Sequence, residues 1–292
     1  MTRPGPDGGS DTTALIPPGI APIAAEGRTL SAFDIGILWN DLSLGLLVLV
    51  TGGLLVPALG LPAAIGAIVL GSLIGCLPLA AVALAGAREG LPAMVLFRPV
   101  LGRTGSYLPS VLNVAQLLGW TSVEFWAMGR LANSLSIELF GLDAFWLWLA
   151  LTAVTCTALA IGGPVVVVKR FLERFGTWIV LGSGLLLTIT LLRAGSMASA
   201  WTGSGEGGLP FWLAVDLAIV MPISWLPLVA DSTRFARSQR GVLTATFVGY
   251  AAGNIWFYVL GALLVLNAVA VPSAEGIGIA IFRVAAGLAE VL

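Results

Sequence analysis

Between Asp41 and Arg88 the chain carries 46 consecutive residues without a charged side chain, nearly all of them Leu, Val, Ile, Ala or Gly. As helix, at about 1.5 Å per residue, that stretch is roughly 69 Å long and crosses a ~30 Å hydrocarbon layer twice. Pro57 and Pro62, with Leu59 and Gly60 between them, mark where the chain turns back. A soluble domain cannot hide such a run and keep a polar surface. The stretch therefore reads as two membrane crossings joined by a tight turn.

The rest of the chain agrees. It is 58% hydrophobic and 10% charged, a balance that predicts an all-α polytopic membrane protein. Further charge-sparse runs are Thr104–Val123, Ala144–Val168, Phe175–Leu192 and Gly241–Ala274, and Leu209–Ala230 contains only Asp216. These runs predict about seven spans, with the start of an eighth near Gly276. Residues 1–27 are rich in Gly, Pro, Asp and Thr and lack the apolar core of a signal peptide, so a disordered cytoplasmic tail is expected.

Charge placement sets the orientation. Arg3 and Arg28 precede span one, and Arg88, Arg98 and Arg103 lie between spans two and three. Lys169, Arg170 and Arg174 lie between spans four and five, and Arg234, Arg237 and Arg240 between spans six and seven. All four segments fall on one side, while the other side has only Arg130 and Arg193 near span ends. The positive-inside rule puts the N-terminus in the cytoplasm of a cell whose plasma membrane holds the protein. A formal net charge of −1 gives no argument for a nucleic-acid partner, and none is expected.

The chain has no histidine, which excludes histidine zinc sites, His-ligated haem and Ser-His or Cys-His catalytic pairs. There is no Gly-rich phosphate loop or other catalytic cluster, so an enzyme is not expected, nor is a cofactor. Cys76 and Cys156 fall inside spans and are expected to pack without forming a disulfide. Gly52, Gly53, Gly66, Gly71 and Gly75 are expected to permit close helix packing.

Polar groups at bilayer depth each need a reason. In span three, Asn113, Gln116, Trp120 and Glu124 are spaced i, i+3, i+7, i+11. At about 100° per residue they share one stripe roughly 80° wide. An indole beside two amides and a carboxyl suits a flat polar ring, stacked on its face and read along its edge. The other use of such groups is hydrogen bonding between helices. Span six is interrupted: Met221-Pro222-Ile223-Ser224-Trp225-Leu226-Pro227 sets two prolines in mid-span. A break there is tolerated where it lines a cavity, which makes Ser224 and Trp225 candidate ligands. Span one has a parallel irregularity in Trp39-Asn40-Asp41-Leu42-Ser43-Leu44-Gly45. Paired breaks in two halves mark an inverted repeat with a midplane site. Asp41, Ser43, Leu44 and Gly45, with their carbonyls, form the candidate cation site. Asp231 and Arg234 sit three apart after span six and are expected to pair. Asp216 is expected near the outer mouth.

These residues carry a resemblance. Gly90-Leu91-Pro92-Ala93-Met94-Val95, then Arg98, then Leu101-Gly102-Arg103-Thr104-Gly105-Ser106, resembles the loop between spans two and three of the nucleobase–cation symporter-1 family, which includes the purine–cytosine permeases. Asn113-Val114-Ala115-Gln116-Leu117-Leu118-Gly119-Trp120 is similar to that family's span-three signature. Asp231-Ser232-Thr233-Arg234-Phe235-Ala236-Arg237 is similar to its element after span six. The pattern from Trp39 to Thr51-Gly52-Gly53-Leu54-Leu55 resembles the branch associated with hydroxymethylpyrimidine. The resemblance covers roughly residues 30 to 290.

It implies a LeuT-type inverted-repeat transporter, with a first repeat over residues 28–193 and a partial second repeat over 209–292. Such a protein moves a planar nitrogen heterocycle, such as cytosine, a purine or hydroxymethylpyrimidine, inward with Na⁺ or H⁺. Trp120 would stack on the substrate, Glu124 would contact the ring, and Trp225 would close the other face. The family's span eight supplies a substrate-binding amide and half of the cation site, and this chain stops inside it. A truncated or split protein is therefore expected, a partner chain supplying the missing helices in the split case. The alternative is a degenerate permease without transport activity, serving as a sensor, partner subunit or remnant.

Overall fold

The computed structural model describes residues 19–161, 176–193, 197–267, 272–273 and 275–282. The basic segment Lys169, Arg170 and Arg174 and the first part of the tail lie outside the described residues.

Span one is two helices. α1 (Ala32–Asp41) starts at Ser31, whose hydroxyl accepts from the Asp34 amide while the Asp34 carboxylate accepts from the Ser31 amide. This reciprocal cap satisfies two end donors at once. The chain then bends by 60° before α2 (Leu46–Leu54). After the proline turn, α3 (Leu61–Glu89) runs back as span two. It ends at Gly90, which takes a left-handed φ of 67° and donates its amide to the Gly86 carbonyl, a helix stop that glycine adopts at little cost.

Two short helices, α4 (Ala93–Leu96) and α5 (Arg98–Gly105), cross the loop to α6 (Tyr107–Phe140). α6 is span three and runs 34 residues, well past the end expected at Val123. The charge-free run stops at Glu124, but Glu124 and Arg130 are carried within the helix, so charge did not mark its end. α7 (Phe145–Ile161) follows as span four and α8 (Thr177–Arg193) as span five. After the short α9 (Met197–Thr202), span six is α10 (Phe211–Ser224), a turn, and α11 (Val229–Thr233). α12 (Gln239–Leu266) is span seven, and residues 275–282 are helical at the expected start of span eight. α3 and α12 are each long and apolar enough to cross a membrane, and α1 with α2 makes one bent crossing. α7, α8 and α10 are apolar but shorter, and α6 is long but carries the polar stripe.

α3 and α12 form the centre. α3 packs on α10 and α12, and α12 also holds both α1 and α2, while α6 pairs with α7. The buried face of α3 is made largely of small residues at steps of three and four: Ala64, Ala67, Gly71 and Gly75, then Cys76, Ala80, Ala83 and Ala87. In lipid, close backbone approach of this kind drives helix association where the hydrophobic effect cannot. Gly71 lies against Val215 and Ala218, and Gly75 against Pro222 of α10.

Polar bonds tie the same helices. Asn254 Nδ2 donates to Ser72 Oγ at 2.9 Å, with both residues fully buried. Tyr258 on α12 donates to the Leu217 carbonyl on α10 at 2.8 Å. Asn254→Ala leaves the Ser72 hydroxyl without this partner and opens a void. The expected cost is about 1–2 kcal/mol, read as a lower Tm in detergent; an unchanged Tm would show the bond to be idle.

The segment before α1 pairs by backbone with the segment after α11. The Leu30 amide donates to the Phe235 carbonyl at 2.9 Å, and the Arg237 amide donates to Leu30 at 2.8 Å. Residues 19–27, assigned by composition to a tail without structure, carry a 3-10 turn at Ala25–Gly27, and the Ile23 amide donates to Gly90. Composition predicts chain flexibility but does not see these distant backbone partners. The Arg234 charge acts on Asp231, while each side chain also holds a backbone group: Asp231 Oδ1 accepts from the Ala93 amide at 2.9 Å, and Arg234 Nη1 donates to the Gly19 carbonyl at 3.0 Å. Asp216 is exposed.

Candidate functional site

Both broken spans open onto one cavity of about 450 Å³. That volume lies within the ~300–1,000 Å³ typical of small-molecule sites.

In span one, helical hydrogen bonding stops where the Leu44 amide donates to Asp41 and resumes where Leu49 donates to Gly45. The carbonyls of Leu42, Ser43 and Leu44 therefore belong to neither helix. Of this break, Leu42 and Gly45 line the cavity, followed by Leu47 and Val48. The other expected cation-site residues are placed differently. Ser43 is fully buried, and its hydroxyl donates to the Asn40 carbonyl at 2.6 Å. Leu44 is not among the lining residues. Asp41 does not line the cavity either, and its carboxylate bonds the Thr177 side chain on α8. The four positions alternate in direction around a tight turn, so sequence adjacency did not bring them to one point.

In span six, Pro222 sits in the last turn of α10 and Pro227 in the turn that follows. Met221, Ser224, Trp225 and Leu228 face the cavity. The Ser224 hydroxyl donates back to the Val220 carbonyl at 2.7 Å, so the serine's backbone is the part open to neighbours. Its carbonyl accepts from Gln116 Nε2 at 2.7 Å, a bond that pins the break to span three. Trp225 meets Trp39 edge-on, with ring centroids 6.0 Å apart and planes at 82°. Trp39 also lies 6.2 Å from Tyr250, which lines the cavity from α12.

The span-three stripe is brought to this cavity in part. Gln116, Trp120 and Glu124 line it, together with Leu117, Thr121, Phe125 and Met128 on the same face. Asn113 does not. It is buried about one turn earlier on α6 than Gln116, and its Oδ1 has no hydrogen-bond partner among the described residues. Thr121 and Phe125 each follow a stripe residue by one position, and Met128 lies four beyond Glu124, so widening and extending the helical face would have found them. Cys156 of α7 and Tyr250 carried no signal in the sequence, because each is a lone residue delivered by long-range packing. Cys76 is buried elsewhere, and both cysteines are free thiols.

The chemistry of the cavity is that of a slot. Its walls are mostly apolar, both aliphatic and aromatic, with indoles from spans three and six, a hydroxyl at Thr121 and a carboxyl at Glu124. Flat aromatic rings fit such walls by stacking, and the few polar groups fix which edge faces which wall.

Comparison with known proteins gives the same direction. Two solved structures of Mhp1 share the fold at a TM-score of 0.74. One is the inward-facing form, at 19% identity over 92% of this chain and 64% of that one. The other is a closed form with bromovinylhydantoin bound, at 20% identity over 92% of this chain and 61% of that one, and is described as a nucleobase–cation-symport-1 family transporter. YxlA of Bacillus subtilis (strain 168), named as a purine-cytosine permease, is 29% identical over 249 residues, 83% of this chain and 52% of its own length. The purine-uracil permease NCS1 of Arabidopsis thaliana is 25% identical over 275 residues, 84% of this chain and 46% of its own length. The chain thus spans about half the length of the curated relatives it matches. A family model described as permease for cytosine/purines, uracil, thiamine, allantoin matches residues 22–277. Given a match over most of its length, the chain is a multi-pass membrane protein and belongs to that permease family, the nucleobase–cation symporters.

Proposed function

We propose that this chain carries the substrate site of a cation-coupled symporter that imports a planar nitrogen heterocycle, such as cytosine, a purine or hydroxymethylpyrimidine. The observation that carries the reading is the convergence of Trp120, Glu124 and the broken sixth span on one cavity. A ring lying on Trp120 places its edge within range of Glu124, one helical turn further along the same face. The Trp225 indole, buttressed by Trp39, closes the opposite wall.

The coupling ion is Na⁺ or H⁺. The carbonyls of Leu42, Ser43 and Leu44, freed from helical bonding, are the ligands that span one offers a cation. The N-terminus and the basic loops face the cytoplasm. Residues 28–193 form the first repeat, and residues from 209 onward begin the second.

The experiment is uptake of radiolabelled cytosine into cells expressing the protein, with unlabelled purines, uracil and hydroxymethylpyrimidine as competitors. Saturable uptake that one of these rings competes away, and that collapses with the cation gradient, is the expected result. Protein present in the membrane, binding a ring in detergent yet moving none into proteoliposomes, would replace the symporter reading with a sensor or partner subunit.

A further inference from the structure

Glu124 is a carboxyl in a cavity that supplies it no counter-charge. No hydrogen bond or ion pair reaches it among the described residues, and the one ion pair there, Arg130 with Glu275 at 3.0 Å, uses the nearest arginine of its own helix. The faces around it are apolar or neutral. Span one brings Leu42, Gly45, Leu47 and Val48, and span six brings Met221, Ser224, Trp225 and Leu228. The other titratable groups on the walls are Cys156 of α7 and Tyr250 of α12, and neither carries positive charge. Gln116 is neutral and gives one of its two amide N–H groups to the Ser224 carbonyl. A bare carboxylate in such surroundings is costly, so the site favours a ligand that brings Glu124 a proton or a hydrogen-bond donor.

Resting on the symporter reading, we infer that Glu124 selects heterocycles with an amidine edge, a ring nitrogen beside an exocyclic amino group, and that it shares with that edge the proton carried across. A carboxylic acid offers one O–H donor and one carbonyl acceptor side by side. The amidine edge offers the matching acceptor and donor, so two parallel hydrogen bonds form. The ring nitrogen is basic, so the proton sits between two sites that both compete for it. That charge-assisted bond is roughly twice as strong as a neutral one. A uracil-type ring presents an N–H beside a carbonyl. It still pairs twice with the acid, but through neutral bonds only. The proton balance is simple: one proton enters with the ring, bound jointly by Glu124 and the ring nitrogen, and both leave on the other side.

The test is binding of radiolabelled cytosine and uracil to the purified full-length protein between about pH 6 and 8, a window above the ordinary range of a free carboxyl. Wild type is expected to prefer cytosine by about tenfold, with affinity falling as pH rises because the bound state holds the extra proton. Glu124→Gln keeps the donor–acceptor fork but cannot take up a proton. It is expected to bind both rings about equally and without pH dependence. Glu124→Asp retains the proton and is expected to bind more weakly with the pH slope intact, a control for loss of shape. A Gln variant that keeps both the cytosine preference and the pH slope overturns the assignment, as does a wild type that binds both rings equally at every pH. Wild type that binds no ring at all removes the symporter reading first, and this inference with it.

Discussion

Trp120→Ala should weaken heterocycle binding by roughly 5- to 150-fold while leaving the protein inserted and folded. The range follows from the ~1–3 kcal/mol that stacking a base on an aromatic side chain contributes. The indole stands half-buried on the cavity wall between Gln116 and Glu124, each about one turn away on the same helix face. Truncation removes the plate on which the ring lies, and with it the geometry that presents the ring's edge to Glu124, so transport is expected to fall with affinity. Trp178→Ala is the matched control, since that indole is 67% exposed on α8 and does not line the cavity. Equal affinity in the Trp120 and Trp178 variants would refute the stacking role.

What could be read from the sequence was local. The crossings follow from apolar runs, and the interruptions of spans one and six follow from Asn40–Gly45 and from Pro222 with Pro227, because a helix in lipid has few ways to accommodate such residues. The stripe Gln116, Trp120, Glu124 follows from helical periodicity alone. What could not be read depends on which distant segment arrives. Periodicity puts Asn113 on the stripe but does not say that the cavity ends a turn short of it. The sequence places Asp41 beside Gly45, yet the bend sends Asp41 toward Thr177 and Gly45 toward the cavity. Tyr250 faces the cavity because α12 packs along both halves of span one, a pairing of residues some two hundred positions apart.

That pairing is where a single methylene counts most, and Gly261→Val is expected to cost the fold. α12 meets span one backbone to backbone along its whole bent length. Gly249 lies on the Gly36 carbonyl of α1, Gly253 on the Ser43 hydroxyl at the bend, and Gly261 on the Leu49 carbonyl of α2. Gly52 of α2 returns the contact against the Tyr258 carbonyl. A Cβ at 261 would overlap the Leu49 carbonyl oxygen and lie 2.7 Å from its carbon. The obstruction is main chain, so no rotamer change relieves it, and the helices must part. Overpacking costs ~1–3 kcal/mol where side chains can shift, and a separation of α2 from α12 also undoes the tight contacts on either side. Gly261→Ala should lower Tm, and Gly261→Val should remove the monodisperse protein from detergent extracts. Gly182→Val, on α8 with open space around its Cβ, should be tolerated. Equal yield and Tm for the Gly261 and Gly182 valine variants would mean that α12 does not clamp span one. The 60° bend that presents Leu42 and Gly45 to the cavity would then need another cause.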